Sequence, residues 1–330
     1  MAEIIAHPRD VYRYQRGETV EAAVRDALEN GRFHHAWLLC GPEGVGKATF
    51  AYRLARYLLS RTRDAAFGPL GVSPEDADAR LIAARAHPDL LVLDREGDDG
   101  KMARSITVDA ARGVAGFFSQ TPSRSAWRVA IVDAVDDMNV NAANALLKTL
   151  EEPPPRGVLF LVSHQPGRLL PTIRSRCRRL GFAPWPEADV ADFLRTGAGL
   201  DPASASALAA MAHGAPGRGL SLYARGALSL EAIAASLVEG TLKDPAELLS
   251  QSDKFRGAEG AARFVLLLER ILEALRALSL DPTTPARKAQ AAAGLWSRLM
   301  PLADEAEGIN LDRADLFWSM QSELNALSRL

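Results

Sequence analysis

Ala36-Trp37-Leu38-Leu39-Cys40-Gly41-Pro42-Glu43-Gly44-Val45-Gly46-Lys47-Ala48 decides the fold. Its first five residues form a short apolar run of the kind a buried strand requires, and Gly41-Pro42 stops that run. Gly41 to Lys47 then fits the spacing GxxxxGK. Glycines at such positions let successive backbone N–H groups turn inward around phosphate oxygens. A helical pattern follows from Lys47 to about Arg61, with Phe50, Leu54, Leu58 and Leu59 on one stripe. The positive end of that helix would face the same anion, and Lys47 would add a mobile charge. Strand, glycine loop and helix in this order predict a phosphate-binding loop between a strand and a helix of an α/β sheet.

The flanking sequence repeats the theme. Leu90 to Asp94, Arg128 to Val132 and Val158 to Ser163 are further strand candidates, and helical segments separate them. Continuous apolar runs of this kind suit a parallel sheet covered on both faces. Thr62 to Ala86 reads as an insertion, with a loop around Phe67-Gly68-Pro69 and a surface helix over Ser73 to Ala86. Asp94 to Arg104, with Gly97-Asp98-Asp99-Gly100, reads as a polar loop. Beyond Phe182 the strand-like runs stop, and Pro184-Trp185-Pro186 reads as a hinge. Short helices are expected over Glu187–Leu194, Pro202–His213 and Arg218–Arg225, and longer ones over Ala261–Leu280, Arg287–Ala306 and Asp312–Leu330. The chain thus divides into an α/β region over 1–182, a small helical region over 183–242 and an all-α region over 243–330.

Composition narrows the function classes. At 330 residues, the chain has room for about two domains, or three. The 39 Lys and Arg against 41 Asp and Glu give a net charge of −2, which argues against a strong general affinity for nucleic acid or anionic membrane. Hydrophobic residues make up 48% and charged residues 24%, so the chain can bury a core and is not a disordered one. Cys40 and Cys177 make neither a disulfide framework nor a CxxC zinc pair, which fits a reducing compartment. The opening Met1 to Asp10 does not read as a signal peptide. The longest apolar runs, such as Phe264 to Leu268, fall far short of the roughly 20 residues that span a bilayer. A cytoplasmic protein is expected, with no membrane partner.

Two substitutions unsettle the phosphate loop. A hydroxyl normally occupies the position of Ala48, where it ligates nucleotide-bound magnesium. Thr49 carries a hydroxyl but lies one residue late, about 100° around the helix. Val129-Ala130-Ile131-Val132-Asp133-Ala134 resembles the strand motif whose terminal Asp steadies the metal's water shell. The next residue in ATPases of this type is usually a glutamate that orients the attacking water; here it is Ala134. Asp136 and Asp137 follow and should point elsewhere. Phosphoryl transfer depends on metal charge and positioning, so losing both groups should nearly abolish it.

Thr172-Ile173-Arg174-Ser175-Arg176-Cys177-Arg178 is the third motif. Alone, it reads equally well as a solvated basic surface. Together with the residues before the phosphate loop (Gly31 to Cys40) and the block Asn144-Ala145-Leu146-Leu147-Lys148-Thr149-Leu150-Glu151-Glu152-Pro153-Pro154, it resembles the bacterial clamp-loader AAA+ subunits. The resemblance runs over roughly residues 20–225 by motif and over the rest by helical character alone.

That resemblance implies an AAA+ core with a parallel sheet over 1–182, a helical lid over 183–242 and a helical collar over 243–330. It implies a pentameric ring in the DNA polymerase III holoenzyme that loads a sliding clamp onto primed DNA, with the gamma or tau ATPase subunits and the delta subunit as partners. Arg176 would act in trans as an arginine finger on a neighbour's γ-phosphate. Arg174, Ser175, Cys177 and Arg178, with Arg179, would serve interface or DNA-phosphate contacts. Gly41, Gly44, Gly46, Lys47, Ala48, Thr49 and Asp133 would form a degenerate nucleotide site. No cofactor is expected to be required, and nucleotide binding there is an open question.

Related subunits carry a four-cysteine zinc module after the phosphate loop. Thr62 to Ala86 contains no cysteine, so no zinc is expected. Motor subunits place a nucleotide-sensing arginine in a Gly-x-x-Arg context; Gly214-Ala215-Pro216-Gly217 puts Gly217 there, with Arg218 one step on.

Other candidates have plainer readings. His34 and His35 should diverge on an extended backbone. His7, His87, His164 and His213 lack ligand-spaced partners. Asp136-Asp137 and Glu151-Glu152 suit helix ends and interfaces. The stripe from Phe264 to Leu278 suits helix core, and the resemblance adds that some of it is intersubunit surface. The sequence therefore points to a non-catalytic clamp-loader subunit. Its rivals are an ATP-hydrolysing motor in which Thr49 and Asp136 substitute for the missing groups, and a nucleic-acid-binding module that uses the arginine cluster alone.

Overall fold

The computed structural model describes residues 6–95, 103, 105–308 and 312–330, and it divides into two compact units, one ending at Leu220 and one running from Ser221 to Leu330. The polar loop expected over Asp94 to Arg104 lies mostly outside the described residues. The Pro184–Pro186 segment lies inside the first unit.

In the first unit, α1 (Glu18–Glu29) precedes β1 (Ala36–Cys40), and the glycine loop leads into α2 (Lys47–Leu59). Next come α3 (Ala77–Ala83), β2 (Leu90–Leu93), α4 (Val108–Phe118), β3 (Arg128–Asp133), α5 (Val140–Glu151), β4 (Gly157–Ser163), α6 (Pro171–Arg174) and β5 (Arg178–Gly181). Among the described residues these strands form one parallel sheet in the order β2-β3-β4-β1-β5. Every residue of β1 and β4 is buried, which is why both read as unbroken apolar runs. Successive side chains point to opposite faces. Trp37, Leu39, Ile131, Phe160 and Val162 pack with Phe50, Leu54 and Leu58 of α2 on one side. Leu38, Cys40, Val132, Leu159 and Leu161 pack with Val114 of α4 and Leu146 and Leu150 of α5 on the other. The result is a three-layer α/β core, with the parallel sheet between α2 on one face and α4 and α5 on the other.

The structure corrects three local readings. The expected helix over Ser73 to Ala86 shortens to α3, because the Asp76 side chain caps the N–H groups of Asp78 and Ala79 and stops the helix there. β5 adds an edge strand that the sequence did not announce: of its four residues only Leu180 is buried. The His34 and His35 rings do not diverge but lie 4.3 Å apart, with His34 Nδ1 against its own chain at Ala36 and His35 Nε2 3.1 Å from the Leu150 carbonyl.

The remaining helices are α7 (Glu187–Gly197), α8 (Pro202–Ala212), α9 (Pro216–Ala224), α10 (Ala227–Glu239), α11 (Pro245–Asp253), α12 (Gly257–Leu280), α13 (Ala286–Gly308) and α14 (Arg313–Ser328). In the second unit, Phe255 meets Phe264 of α12 and Phe317 of α14 with ring centres 5.4 and 5.3 Å apart. The stripe expected for α12 is core: Phe264, Leu267, Leu268, Ile271 and Leu275 are buried. Arg270 is buried beside them and pairs with Glu273 at 3.3 Å. Among the described residues no helix is long and apolar enough to cross a membrane.

Candidate functional site

The carboxyl ends of β1, β3 and β4 converge, the place where open α/β sheets take their ligands. β1 delivers the glycine loop, β3 delivers Asp133, and β4 delivers Ser163 and His164. Gly44 and Gly46 have φ of +77° and +103°, a left-handed backbone that glycine adopts without a Cβ clash. Lys47 starts α2 and turns back over the loop, donating from Nζ to the carbonyls of Gly41 (2.6 Å) and Pro42 (2.5 Å). Two more loop carbonyls are engaged from outside. The Tyr14 hydroxyl donates to Gly46 O at 3.3 Å, and the N–H of Gly217, in the first turn of α9, donates to Gly44 O at 2.8 Å.

These parts enclose a cavity of about 340 Å³. Its walls include Tyr14, Lys47, Asp133, His164, Trp185 and Leu220, and both Ala48 and Thr49 border it. The volume falls in the range of small-molecule pockets. The sequence had supplied Gly44, Gly46, Lys47, Ala48, Thr49 and Asp133. Tyr14 and Trp185 were missed because they arrive from distant segments, and no spacing rule links them to the loop. Trp185 is fixed by the bond from its N–H to Gly214 O (2.8 Å) and by the Phe193 ring.

The cavity disfavours charge. Burial pushes Asp133 up to about 6, against the opposing pull of Lys47. Burial also pushes Lys47 down to about 8, partly offset by Asp133 and Glu43, and lowers His164 below the usual imidazole value. The sign of the Asp133 shift fixes a pH dependence. Between 3.8 and about 6 the native carboxyl holds a proton that the unfolded chain has released. Stability should therefore fall as the pH rises through that window, and Asp133→Asn should remove a penalty of up to about 3 kcal/mol. Urea unfolding of both proteins at each end of the window checks this: parallel pH profiles would count against it.

Of the two groups proposed as substitutes for the missing catalytic ones, Thr49 borders the cavity and Asp136 is engaged elsewhere. Ala134 is buried and carries no carboxylate. Asp136 does not face the cavity; its carboxylate accepts from Ser163 Oγ (3.0 Å), His164 N (2.6 Å) and Gln165 N (3.1 Å), tying down the end of β4. Asp137 pairs with Arg95 at 3.2 Å.

Arg176 stands apart, between α6 and β5, and among the described residues it is not one of the cavity's walls. Its guanidinium donates to Thr172 O at 3.0 Å and pairs with Glu151 Oε1 at 2.9 Å. Ser175 Oγ donates to Thr172 O at 3.2 Å. Arg174 is exposed, and Arg178 lies over the Trp37 ring, 5.0 Å from its centre. The half-buried Cys177 thiol is pushed up to about 12 by desolvation, so it stays protonated, and both cysteines are free. The described residues include no cluster of three or more His, Cys, Asp or Glu that could hold a metal.

The glycine loop thus follows β1, next to the edge strand β5, and the basic motif lies outside the cavity. The family described as DNA polymerase III, delta subunit, matches residues 17–186. The chain belongs to that family. Its relatives include DNA polymerase III subunit delta′ of Pseudomonas aeruginosa, 48% identical over 143 residues that make up 43% of this chain and 41% of the relative. They also include subunit delta′ of Escherichia coli, 34% identical over 60% of this chain and 57% of the relative. The chain thus matches about half the length of these relatives. Among solved structures, a gamma subunit-related protein from Thermotoga maritima covers 96% of this family member and 100% of its own chain at 18% identity, with a TM-score of 0.44.

Proposed function

We propose that the chain is a non-catalytic clamp-loader subunit of the DNA polymerase III holoenzyme. It supplies Arg176 in trans to a neighbouring ATPase subunit and helps place the sliding clamp on primed DNA. The observation that carries this reading is a separation: the arginine suited to a γ-phosphate lies outside its own cavity, while that cavity has Ala48 and Ala134 in place of a metal-binding hydroxyl and a base. Its partners are the gamma or tau ATPase subunits and the delta subunit, with transient contact to clamp and DNA. Arg174, Ser175, Cys177 and Arg178 belong to the interface or DNA-facing surface around the finger. Helices over 183–242 serve as a lid and those over 243–330 as a collar. The protein works in the cytoplasm, without zinc and without a required nucleotide.

Several contacts support the inert site. Lys47 is satisfied by loop carbonyls, Gly217 contacts the loop from the lid side, and Asp136 is committed to β4. The motor alternative requires Asp136 and Thr49 to act together on one water and one metal, which the bonds of Asp136 disfavour.

The test is turnover. The purified chain with ATP and magnesium should show no hydrolysis above background. Lys47→Ala should leave the turnover of the reconstituted loader within about twofold of the unaltered complex, a difference of about 0.4 kcal/mol. Brisk hydrolysis by the chain alone that Lys47→Ala abolishes would establish the motor reading instead.

A further inference from the structure

Glu151 is the last residue of α5, where a carboxylate faces the negative end of the helix dipole. Arg176 meets it there, with Nη2 2.9 Å from Glu151 Oε1, while Nη1 reaches Thr172 O at 3.0 Å. Both ends of this contact are set on fixed backbone. Glu152 caps α5, and Pro153 and Pro154 follow it at once. On the other side, Arg176 N–H bonds to Ile173 O, and β5 begins two residues later in register with Trp37. The arginine is therefore held in one place. It is not buried, however: the side chains of Arg176 and Glu151 are 35% and 50% exposed. An exposed pair of this kind is weak and screened by salt. A phosphate, which a guanidinium grips with two parallel hydrogen bonds, competes well against one carboxylate oxygen.

We propose that Glu151 is a positioning residue that holds Arg176 when the neighbouring nucleotide site is empty, and that its carboxylate competes with the neighbour's γ-phosphate for the guanidinium. This rests on Arg176 being donated to that site. The neighbour's apparent affinity for ATP then includes the cost of breaking the pair in this chain. Glu151 thereby sets how readily the interface closes on nucleotide, without touching nucleotide itself.

The experiment uses reconstituted clamp loader with unaltered chain, Glu151→Gln, Glu151→Asp, Arg176→Ala and the double variant Glu151→Gln/Arg176→Ala. ATP turnover is measured at low and high salt, together with binding of a non-hydrolysable ATP analogue. Glu151→Gln should lower KM and the analogue's Kd by about twofold to fivefold, with kcat changed by less than about twofold. High salt should shrink the difference. Glu151→Asp should fall between the two, and the double variant should match Arg176→Ala. If Arg176→Ala lowers turnover but Glu151→Gln leaves KM and Kd unchanged or raises them, the competition is refuted and the finger stands. If Arg176→Ala changes nothing, the finger reading fails and this inference with it.

Discussion

Arg176→Ala is expected to reduce ATP turnover at the receiving site of the reconstituted loader on the order of 10³-fold, the scale of a lost arginine finger. A planar guanidinium matches a phosphoryl group with two donors at fixed spacing, and its charge does not depend on pH. Alanine removes charge and donors together. Arg176→Lys should not restore the rate, because an ammonium is a point charge on a flexible stem and cannot supply the fork. The chain itself should remain folded. Its native contacts through Arg176 are a partly exposed ion pair and a bond to Thr172 O, so urea unfolding should shift by no more than about 1 kcal/mol. Single-turnover measurements on the loader check the first claim. Unaltered hydrolysis at that site would remove the main ground for reading this chain as a donor.

The second large effect is structural. Arg53→Ala should destabilise the first unit by about 3–5 kcal/mol. Arg53 is 3% exposed and extends from α2 to three separate segments. Nε meets Glu21 Oε1 of α1 at 2.5 Å, Nη1 donates to Tyr12 O at 2.9 Å, and Nη2 donates to Phe67 O at 2.6 Å. Truncation leaves buried Glu21, 5% exposed, without its partner and two half-buried carbonyls without donors. The double variant Glu21→Gln/Arg53→Met should lose less than Arg53→Ala, because it removes both charges and keeps most of the volume. Urea midpoints of the three proteins settle the order. A loss below about 1 kcal/mol for Arg53→Ala would show that the segments before α1 and after α2 do not depend on this side chain.

Strand by strand, legibility follows burial. β1, β3 and β4 lie inside the sheet, so their middle positions on both faces are apolar and the runs stood out, with polar residues only at strand ends such as Arg128, Asp133 and Ser163. Among the described residues β5 pairs only with β1, at the sheet's edge, and Arg178-Arg179-Leu180-Gly181 carries no apolar run at all. Its first residue, Arg178, had been read as the end of the basic motif, whose charge hid its backbone. α3 was drawn too long because helical pattern reading extends to the first plausible opener, Ser73, whereas the capping side chain is Asp76.

The candidate site divides the same way. Gly44, Gly46, Lys47 and Asp133 were visible because local geometry, loop or strand end, dictates their type. The partner of Arg176 was not. Glu151 lies 25 positions earlier, and only the fold brings the end of α5 beside the turn before β5. Its doublet with Glu152 had been weighed as a local feature. His34 and His35 show the converse error: a sound rule for extended chain fails when both residues sit before the strand begins and their rings can turn together.

The bond from Gly217 N–H to Gly44 O joins two stretches of main chain, so among replacements only proline at 217 deletes its donor, and none deletes its acceptor. Otherwise bulk is what can break it. A methyl group on residue 44 would stand 2.4 Å from the Arg218 nitrogen, and one on residue 217 would stand 2.9 Å from the Gly44 oxygen. Mutational drift over the rest of α9 can change its charge and its length without loosening this hold. Freeing the helix from the loop therefore calls for a change at one of these two glycines themselves.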